Sequence, residues 1–171
     1  MLGRPQVGEY PTRYHRYIDL VPEENVSAAM AEQLETTAAF LQRIPDIHAD
    51  RRYAPGKWTT REVIGHILDT ERIFGYRLLT FARGDNVTVP RADEELYVRN
   101  ADFSRYPLAD WIDEFTQVRR SHMVLLRHLA PEAWTRTGNT SIGPITVRAM
   151  AYVMLGHERH HLRIIADKYL D

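Results

Sequence analysis

The clearest chemical signal in the 171-residue chain is the run His157-Glu158-Arg159-His160-His161. Two histidines four residues apart lie one above the other on an α-helix, so the imidazoles of His157 and His161 can reach one cation. The run also has the H-E-x-x-H form in which zinc proteases use the glutamate as general base. Alternatively, both histidines are core residues that polar neighbours satisfy. The spacing favours a metal site, with Glu158 as a candidate for proton transfer.

A metal site of this kind needs a further protein ligand. Zinc proteases find theirs further along the chain, but only ten residues follow His161 and none of them is His or Glu. The protease interpretation is therefore weak, and the third ligand must come from upstream. The candidates are His15, His48, His66, His122 and His128.

Helical spacing makes His66 and His122 the stronger candidates. His66 borders an apolar arc of its predicted helix, and His122 lies in the middle of another apolar stripe. His122 is therefore either a hydrogen-bonded core residue or a second group that faces the cavity. Glu71 shares the arc with His66 and is interpreted as a buried partner for an arginine or tyrosine. His160 lies at the edge of the polar face, where a solvated or supporting role is expected, and the remaining histidines are expected at the surface.

Four helices of roughly 23 residues must position these side chains, since helical spacing dominates and no strand-like alternation competes with it. The predicted helices are 22–44, 59–83, 107–129 and 146–169, with a short helix near 93–99 in the long connection after the second. Residues 1–21 are rich in Pro, Gly and Tyr and predict an irregular arm across the bundle. The predicted fold is all-α, a four-helix bundle in a single domain that spans residues 1–171.

Composition excludes several classes of protein. The chain has 44% hydrophobic and 26% charged residues, which is typical of a soluble globular protein. A net charge of −1 argues against nucleic-acid binding, and the outer arginines are expected to form a solvated face. These are Arg119, Arg120, Arg148, Arg159 and Arg163.

The chain has no cysteine, which excludes disulfides, thiolate nucleophiles and zinc fingers and leaves histidine and carboxylate as metal ligands. The longest apolar run, 149–155, is far shorter than the roughly 20 residues of a membrane helix. Residues 1–10 lack the apolar segment of a secretory signal. We therefore expect a cytoplasmic protein with no membrane partner.

Two segments together resemble the DinB-like superfamily over about residues 20–170. Residues 56–71, GKWTTREVIGHILDTE, match the superfamily pattern G-x-W-(S/T)-x-(K/R)-(E/Q)-V-(L/I)-x-H-(L/I)-x-D. Residues 157–161 match the closing H-x-x-H-H of the branch that contains YfiT and the bacillithiol transferases. Each half alone is a weak signal, and the combination is specific.

The resemblance implies a bundle with up-down-down-up helix directions and a divalent metal ion, zinc or nickel, on three histidines. Carried over by position, the ligands are His66, His157 and His161. It also implies hydrolase activity or the transfer of a low-molecular-weight thiol to electrophiles, and a homodimer. The family does not require a glutamate at the position of Glu158, which weakens the general-base role.

The function that we predict is thiol transfer to small electrophiles at a three-histidine metal site. Glu158 and His122 are the candidates for proton transfer or substrate contact. Because the chain has no cysteine, the thiol must arrive as a cosubstrate. A metal-dependent hydrolase of small amides or esters needs the same site, and a non-catalytic metal-binding stress protein is the alternative from another class.

Overall fold

Four long helices dominate the structure, a computed structural model that describes residues 3–170. Short helices and a small sheet connect them, and the predicted all-α class is confirmed. In chain order the elements are α1 (His15–Ile18), α2 (Val26–Gln42), α3 (Asp46–Ala49), α4 (Thr60–Ala82), β1 (Thr88–Val89), α5 (Glu94–Asn100), α6 (Leu108–Arg127), β2 (Thr137–Thr140), β3 (Gly143–Thr146) and α7 (Val147–Lys168). The long helices are α2, α4, α6 and α7.

Contacts between the long helices show that α2 and α7 run in the same direction. Gln33 of α2 donates a hydrogen bond to the carbonyl of Leu155 in α7. Thr37, one turn later in α2, donates to the carboxylate of Glu158, about one turn later in α7. The first and last helices of the bundle are therefore parallel.

The second and third long helices run opposite to α7. The hydroxyl of Tyr169, just after α7, donates to the carbonyl of Trp58, just before α4. Arg61, at the start of α4, donates to the carbonyl of Tyr106, just before α6. Hence α4 is antiparallel to α7 and parallel to α6, which gives the up-down-down-up directions expected from the resemblance.

Parallel neighbours cannot be joined by a tight turn, because the chain must return along the bundle. At 1.5 Å per residue a helix of this length spans roughly 35 Å. The connection from α4 to α6 covers that distance with β1 and α5. The short helix predicted near 93–99 is observed at Glu94–Asn100.

Helix ends were predicted well except at the start of α2. The capping box before α4 is present, with reciprocal hydrogen bonds between Thr59 and Glu62. The helix predicted from residue 22 instead begins at Val26, because the side chain of Asn25 caps the backbone N–H of Ala28. The other predicted ends of the long helices lie within about two residues of the observed ones.

The N-terminal arm, which in the structure comprises residues 3–25, packs along α7 and carries the short helix α1. A Cβ atom at Gly156 would lie 2.0 Å from the carbonyl oxygen of Tyr17, so only glycine allows this close approach. The arm also supplies carboxylates to α7. Consequently α7 is buried on nearly every side between residues 149 and 158.

The prediction that Arg148 and Arg159 belong to a solvated face is wrong. Arg148 pairs with Glu9, and Arg159 pairs with Glu23 at 2.7 Å, so each is covered by the arm. The helical wheel identified a polar face correctly, but that face meets acidic residues of the arm instead of water. Arg163, further along α7, is exposed as expected.

A three-stranded sheet closes one end of the bundle and was not predicted. β1 pairs with β2 in parallel, and β2 and β3 form an antiparallel hairpin. Strands of two to four residues are too short for a period-2 pattern to stand out from the helices. Gly143 at the hairpin has φ of +126°, a conformation that favours glycine.

Polar side chains form a layer across the middle of the bundle. One apolar cluster, which includes Phe81 and Met150, lies on one side of this layer, and a second, which includes Ile64 and Ile165, lies on the other. The candidate functional residues all belong to this layer. Within residues 3–170, every helix is too short or too polar to cross a lipid bilayer.

Candidate metal centre

Three histidines converge where the N-terminal half of α4 meets the middle of α7. Nε2 of His66 lies 3.1 Å from Nε2 of His157. The ring centroid of His161 lies 4.5 Å from that of His157 and 4.7 Å from that of His66. One nitrogen of each ring lies within 4.8 Å of the other two. We call these residues the histidine cluster; they are the three that the resemblance assigns as metal ligands.

Helical spacing and one contact between α4 and α7 fix the positions of the three rings. The spacing of four residues places His157 and His161 on one face of α7. His66 comes from the neighbouring antiparallel helix α4. The hydrogen bond of 2.8 Å from Tyr169 to the Trp58 carbonyl ties the start of α4 to the end of α7 and so fixes the register of the two helices.

Burial keeps the three imidazoles neutral at physiological pH. It lowers the pKa of His66 to about 4 and that of His161 to about 2. The pKa of His157 is lowered well below its usual value, first by burial and then by its neighbours His161 and His66. A histidine nitrogen coordinates a metal only when it is deprotonated, so all three rings can act as ligands.

The histidine cluster has few polar partners of its own. The hydroxyl of Thr70 lies 3.5 Å from Nδ1 of His66. Among residues 3–170, no carboxylate forms an ion pair or a hydrogen bond with any of the three rings. Three neutral nitrogen donors thus meet with most of their bonding capacity unused.

This donor set fits a divalent transition metal. Two imidazole nitrogens about 2.0–2.1 Å from one tetrahedral ion lie about 3.3 Å apart. The observed separation of 3.1 Å between His66 and His157 is close to that value. Imidazole ligands suit zinc, nickel, copper and iron alike, so the donor set does not select among these metals.

A cavity of about 290 Å³ lies in front of the histidine cluster. Its walls come from the arm, α4, α5, the hairpin turn and α7. Aromatic rings approach the histidines closely, with Tyr17 at 5.3 Å and Phe74 at 5.5 Å from His157, and Trp58 at 4.9 Å from His66, measured between ring centroids. A small organic molecule can therefore reach the cluster between these rings.

A second group of polar side chains occupies the opposite side of the same layer. Arg119 of α6 forms two hydrogen bonds with Glu71, at 2.7 and 2.8 Å, and an ion pair of 2.7 Å with Glu158. Nδ1 of His122 lies 3.0 Å from Glu71, and Thr37 donates to Glu158. We call these five residues the ionic cluster.

The structure does not bring the predicted catalytic residues Glu158 and His122 to the cavity. The carboxylate of Glu158 points away from the histidine cluster, and only 1% of its side chain is exposed. His122 packs over Gly75 and contacts Glu71. Neither residue lines the cavity, so a direct contact with substrate lacks the required geometry.

The expectation that Arg119 lies on a solvated face is wrong, since its side chain is 0% exposed. It can be buried because two carboxylates from neighbouring helices neutralise it, and these hold its pKa above the usual value. Glu71 has the arginine partner expected of it, and its pKa is lowered to about 2 despite burial, by Arg119 first. Burial raises the pKa of Glu158.

The other histidines occupy three kinds of position. His160 is half-buried beside the cavity, where its ring contacts Tyr17 and His161. His15 and His128 are exposed, and His48 is half-buried in α3. None of these last three lies with the histidine cluster.

The sequence reasoning missed three residues that shape the cavity. Tyr17 and Arg16 belong to the arm, whose position over α7 was expected only in outline. Arg77 lies in α4, eleven residues after His66 and therefore on nearly the same face. The i, i+11 spacing from His66 places this arginine on the apolar face of α4. That unusual position was the sequence signal that could have identified Arg77 as a cavity residue.

Comparison with known proteins gives matches to one family. The model of the DinB superfamily matches residues 29–165. A protein of Oceanobacillus iheyensis, provisionally named a metal-dependent hydrolase, is 26% identical over 119 residues, which is 69% of each chain.

Two solved structures share the fold. YfiT from Bacillus subtilis, described provisionally as a metal-dependent hydrolase with an unusual four-helix bundle topology, superposes with a TM-score of 0.72 and 18% identity. That match covers 95% of this chain and 89% of YfiT. The DinB-like protein YjoA from Bacillus subtilis gives a TM-score of 0.54 and 17% identity, over 85% of this chain and 95% of YjoA.

Proposed function

The chain belongs to the DinB superfamily, and from this premise we propose that it is a metal-dependent enzyme that transfers a low-molecular-weight thiol to small electrophiles. The observation that carries the proposal is the convergence of three neutral imidazoles on one cavity. Catalytic sites have this form, because three protein ligands leave a coordination position free.

His66, His157 and His161 would hold the metal ion, which we propose to be zinc or nickel. When bound, a divalent cation supplies positive charge that stabilises a deprotonated thiol or water. The protein has no cysteine to act as the nucleophile, so the sulfur belongs to a cosubstrate.

The aromatic walls would position the two substrates. The rings of Tyr17, Phe74 and Trp58 surround the histidine cluster and leave a narrow approach to it. Held between them, an electrophilic carbon lies close to the sulfur and away from bulk water. Such positioning is a large part of the rate enhancement that enzymes achieve in bimolecular reactions.

The reaction balances without any oxidant or reductant. The sulfur of the thiol forms a bond to the electrophilic carbon, and the bond from that carbon to its leaving group breaks. The leaving group departs with the electron pair, and the thiol proton passes to solvent. With monochlorobimane as the electrophile, the products are a fluorescent thioether, chloride and a proton.

A metal-dependent hydrolase is the second candidate, and the provisional names of the relatives favour it. It would use the same histidine cluster, with water in place of the thiol. Both candidates therefore predict loss of activity when the histidines are removed. They differ in whether a thiol is needed.

Turnover of monochlorobimane with and without bacillithiol or mycothiol, together with hydrolysis of a panel of small esters and amides, tests the proposal. Thiol transfer predicts that the active protein forms the fluorescent product faster than the uncatalysed reaction of the same thiol, and that no product forms without thiol. Ester or amide turnover that is independent of thiol would support the hydrolase instead. Full metal occupancy with no turnover on either panel would favour a non-catalytic metal-binding protein and contradict the proposal.

The matched control is the variant His128→Ala, which removes an exposed histidine outside the cavity. It should keep full activity. The variants His157→Ala and His161→Ala should each lose at least about a hundredfold in rate, because the metal is required for the reaction.

A further inference from the structure

Two arginines in the helices of the bundle are buried, and only one of them is neutralised. Arg119 is fully buried and contacts the carboxylates of Glu71 and Glu158. Arg77 is 7% exposed and lines the cavity in front of the histidine cluster. Within residues 3–170 no carboxylate lies within the 4.0 Å of an ion pair with Arg77. Its charge is therefore uncompensated by the described chain.

The partners of Arg77 are neutral. Its Nη2 donates to the carbonyl of Pro90 at 2.9 Å, and its side chain is hydrogen-bonded to Tyr14. The guanidinium carbon lies 5.7 Å from the centre of the Phe74 ring. A buried charge is normally paired, because removing an ion from water is costly. The missing partner of Arg77 is thus a group that the cavity admits from outside.

A second arginine, Arg16, also contacts an aromatic ring that packs against His157. The guanidinium carbon of Arg16 lies 4.6 Å from the centre of the Tyr17 ring. That ring contacts His157, as the ring of Phe74 does. Arg16 and Arg77 are therefore each separated from His157 by one aromatic ring. Like Arg77, Arg16 has no carboxylate partner in the described part of the chain.

The carboxylates that line the cavity contact residues other than Arg16 and Arg77. Glu94 pairs with Arg91 at 3.1 Å, and Glu95 accepts a hydrogen bond from Trp58. Asp69 faces Arg72 at 3.8 Å. Arg16 and Arg77 are therefore left without a carboxylate partner among the described residues of the cavity wall, and a divalent metal on neutral histidines would add positive charge beside them.

We propose that this cavity takes a substrate with a carboxylate group, which Arg77 binds with help from Arg16 while the other end of the molecule lies at the histidine cluster. The placement of the other end at the histidine cluster rests on the proposed function. Arg77 donates to Pro90 and is hydrogen-bonded to Tyr14, and the remaining N–H groups among its five suit the two oxygens of a carboxylate. Arg16 is at the mouth of the cavity and would attract the anion as it enters.

Four probes separate the carboxylate site from the proposed thiol chemistry. These are hexanoate, hexan-1-ol, 6-mercaptohexanoate and 6-mercaptohexan-1-ol, titrated into full-length protein as purified. Binding is followed by protein NMR, on the indole N–H of Trp58 and the Nε–H of Arg77, both of which line the cavity. We expect each acid to bind at least about tenfold more tightly than the alcohol of the same length.

Variants assign that preference to the arginines. Arg77→Met should remove it, Arg77→Lys should restore part of it, and Arg16→Gln should reduce it about threefold. The matched control for the exposed Arg16 is Arg127→Gln, an exposed arginine in the last turn of α6, which should leave all four affinities unchanged. If Arg77→Met fails to fold, Arg16→Gln against Arg127→Gln still tests the site.

The outcomes distinguish this inference from the proposed function. If the thiols bind no better than the thiol-free probes but the acids still outbind the alcohols, the carboxylate site stands and the thiol proposal fails. If acids and alcohols bind alike in the wild type, or if Arg16→Gln and Arg77→Met leave their ratio unchanged, the carboxylate site is overturned.

Discussion

The histidine cluster and the ionic cluster lie in the same polar layer and are both buried, yet they are chemically opposite. The ionic cluster joins a cation to two carboxylates at ion-pair distance, although Nη1 of Arg119 has no hydrogen-bond partner within the described residues. The histidine cluster brings together three neutral donors with no carboxylate and opens on a cavity. Burial of polar groups alone therefore does not mark a functional site. A functional site is marked by polar atoms that are free to bind a ligand and by a cavity through which the ligand can reach them.

The ionic cluster explains how the layer holds the bundle together. Arg119 of α6 bridges Glu71 of α4 and Glu158 of α7, and Thr37 of α2 completes the set. Each of the four long helices thus contributes at least one side chain, and α6 contributes His122 as well. Because Glu158 is adjacent to His157, the same contacts also fix the rotation of α7 and hence the direction of the histidine rings.

The largest effect on stability is expected from breaking the ionic cluster. Arg119→Met leaves two carboxylates buried without a cation and should lower the free energy of unfolding by about 3–5 kcal/mol. Urea denaturation measures this change. The neighbouring variant Arg120→Met, at an exposed position of the same helix, should stay within about 0.5 kcal/mol of the wild type. Equal losses of stability in the two variants would contradict the proposal that the ionic cluster stabilises the bundle.

Breaking the histidine cluster should have a different signature. In the wild type, a chelator should lower the thermal midpoint of unfolding, because a ligand that binds only the folded state stabilises it. In the double variant His157→Ala/His161→Ala, which has lost two ligands, the chelator should change nothing. Calorimetry with and without chelator makes the comparison. A chelator effect that survives the double variant would place the metal elsewhere.

Acid should act on His66 of the histidine cluster and on Glu71 of the ionic cluster in different pH windows. Burial lowers the pKa of His66 from 6.5 to about 4, so without metal it binds fewer protons when folded than when unfolded. The stability that this neutral ring contributes is complete above pH 6.5 and is lost as the pH falls toward 4. Glu71, with its pKa lowered from 4.5 to about 2, loses its contribution only below pH 4.5.

Urea unfolding of the chelator-treated protein between pH 7.5 and 5 tests this difference. The free energy of unfolding should fall with pH in the wild type, and the slope should be shallower in His66→Gln. Glu71→Gln should leave the slope over this range unchanged, although the protein is less stable throughout. Identical slopes for the wild type and His66→Gln would show that burial does not control the titration of His66.

The smallest effects are expected from a matched pair of threonines, one beside each cluster. Thr37→Val removes the hydroxyl that donates to Glu158 and should cost about 1–2 kcal/mol in stability with no change in metal affinity. Thr70→Val removes the hydroxyl 3.5 Å from His66 and should weaken metal binding about threefold to tenfold with little change in stability. Denaturation and metal titration, applied to both variants, should give this crossed pattern. The reverse pattern would contradict the assignment of stability to the ionic cluster and of metal binding to the histidine cluster.

Much of the fold could be predicted because its signals are local. Apolar spacing located the long helices, and the Thr59 capping box fixed the start of α4. The i, i+4 spacing of His157 and His161 placed both rings on one face, and the family resemblance supplied His66. These features depend on residues that are close in sequence or on a known motif.

The rest depends on contacts between distant segments. A helical wheel shows that Arg119 borders an apolar stripe, but not that carboxylates from two other helices meet it there. The same limit hid the carboxylates of the arm that cover Arg148 and Arg159. Glu158 was assigned to catalysis because it lies between two histidines, whereas its side chain points about 100° away from His157 around the helix.

The three-histidine metal centre is tested most directly by the metal content of the purified protein, measured together with X-ray absorption at the metal edge. We predict one divalent ion per chain, with three imidazole nitrogens at about 2.0–2.1 Å, and no ion in His157→Ala/His161→Ala. Stoichiometric metal in the double variant, or a first shell without histidine nitrogens in the wild type, would contradict the account.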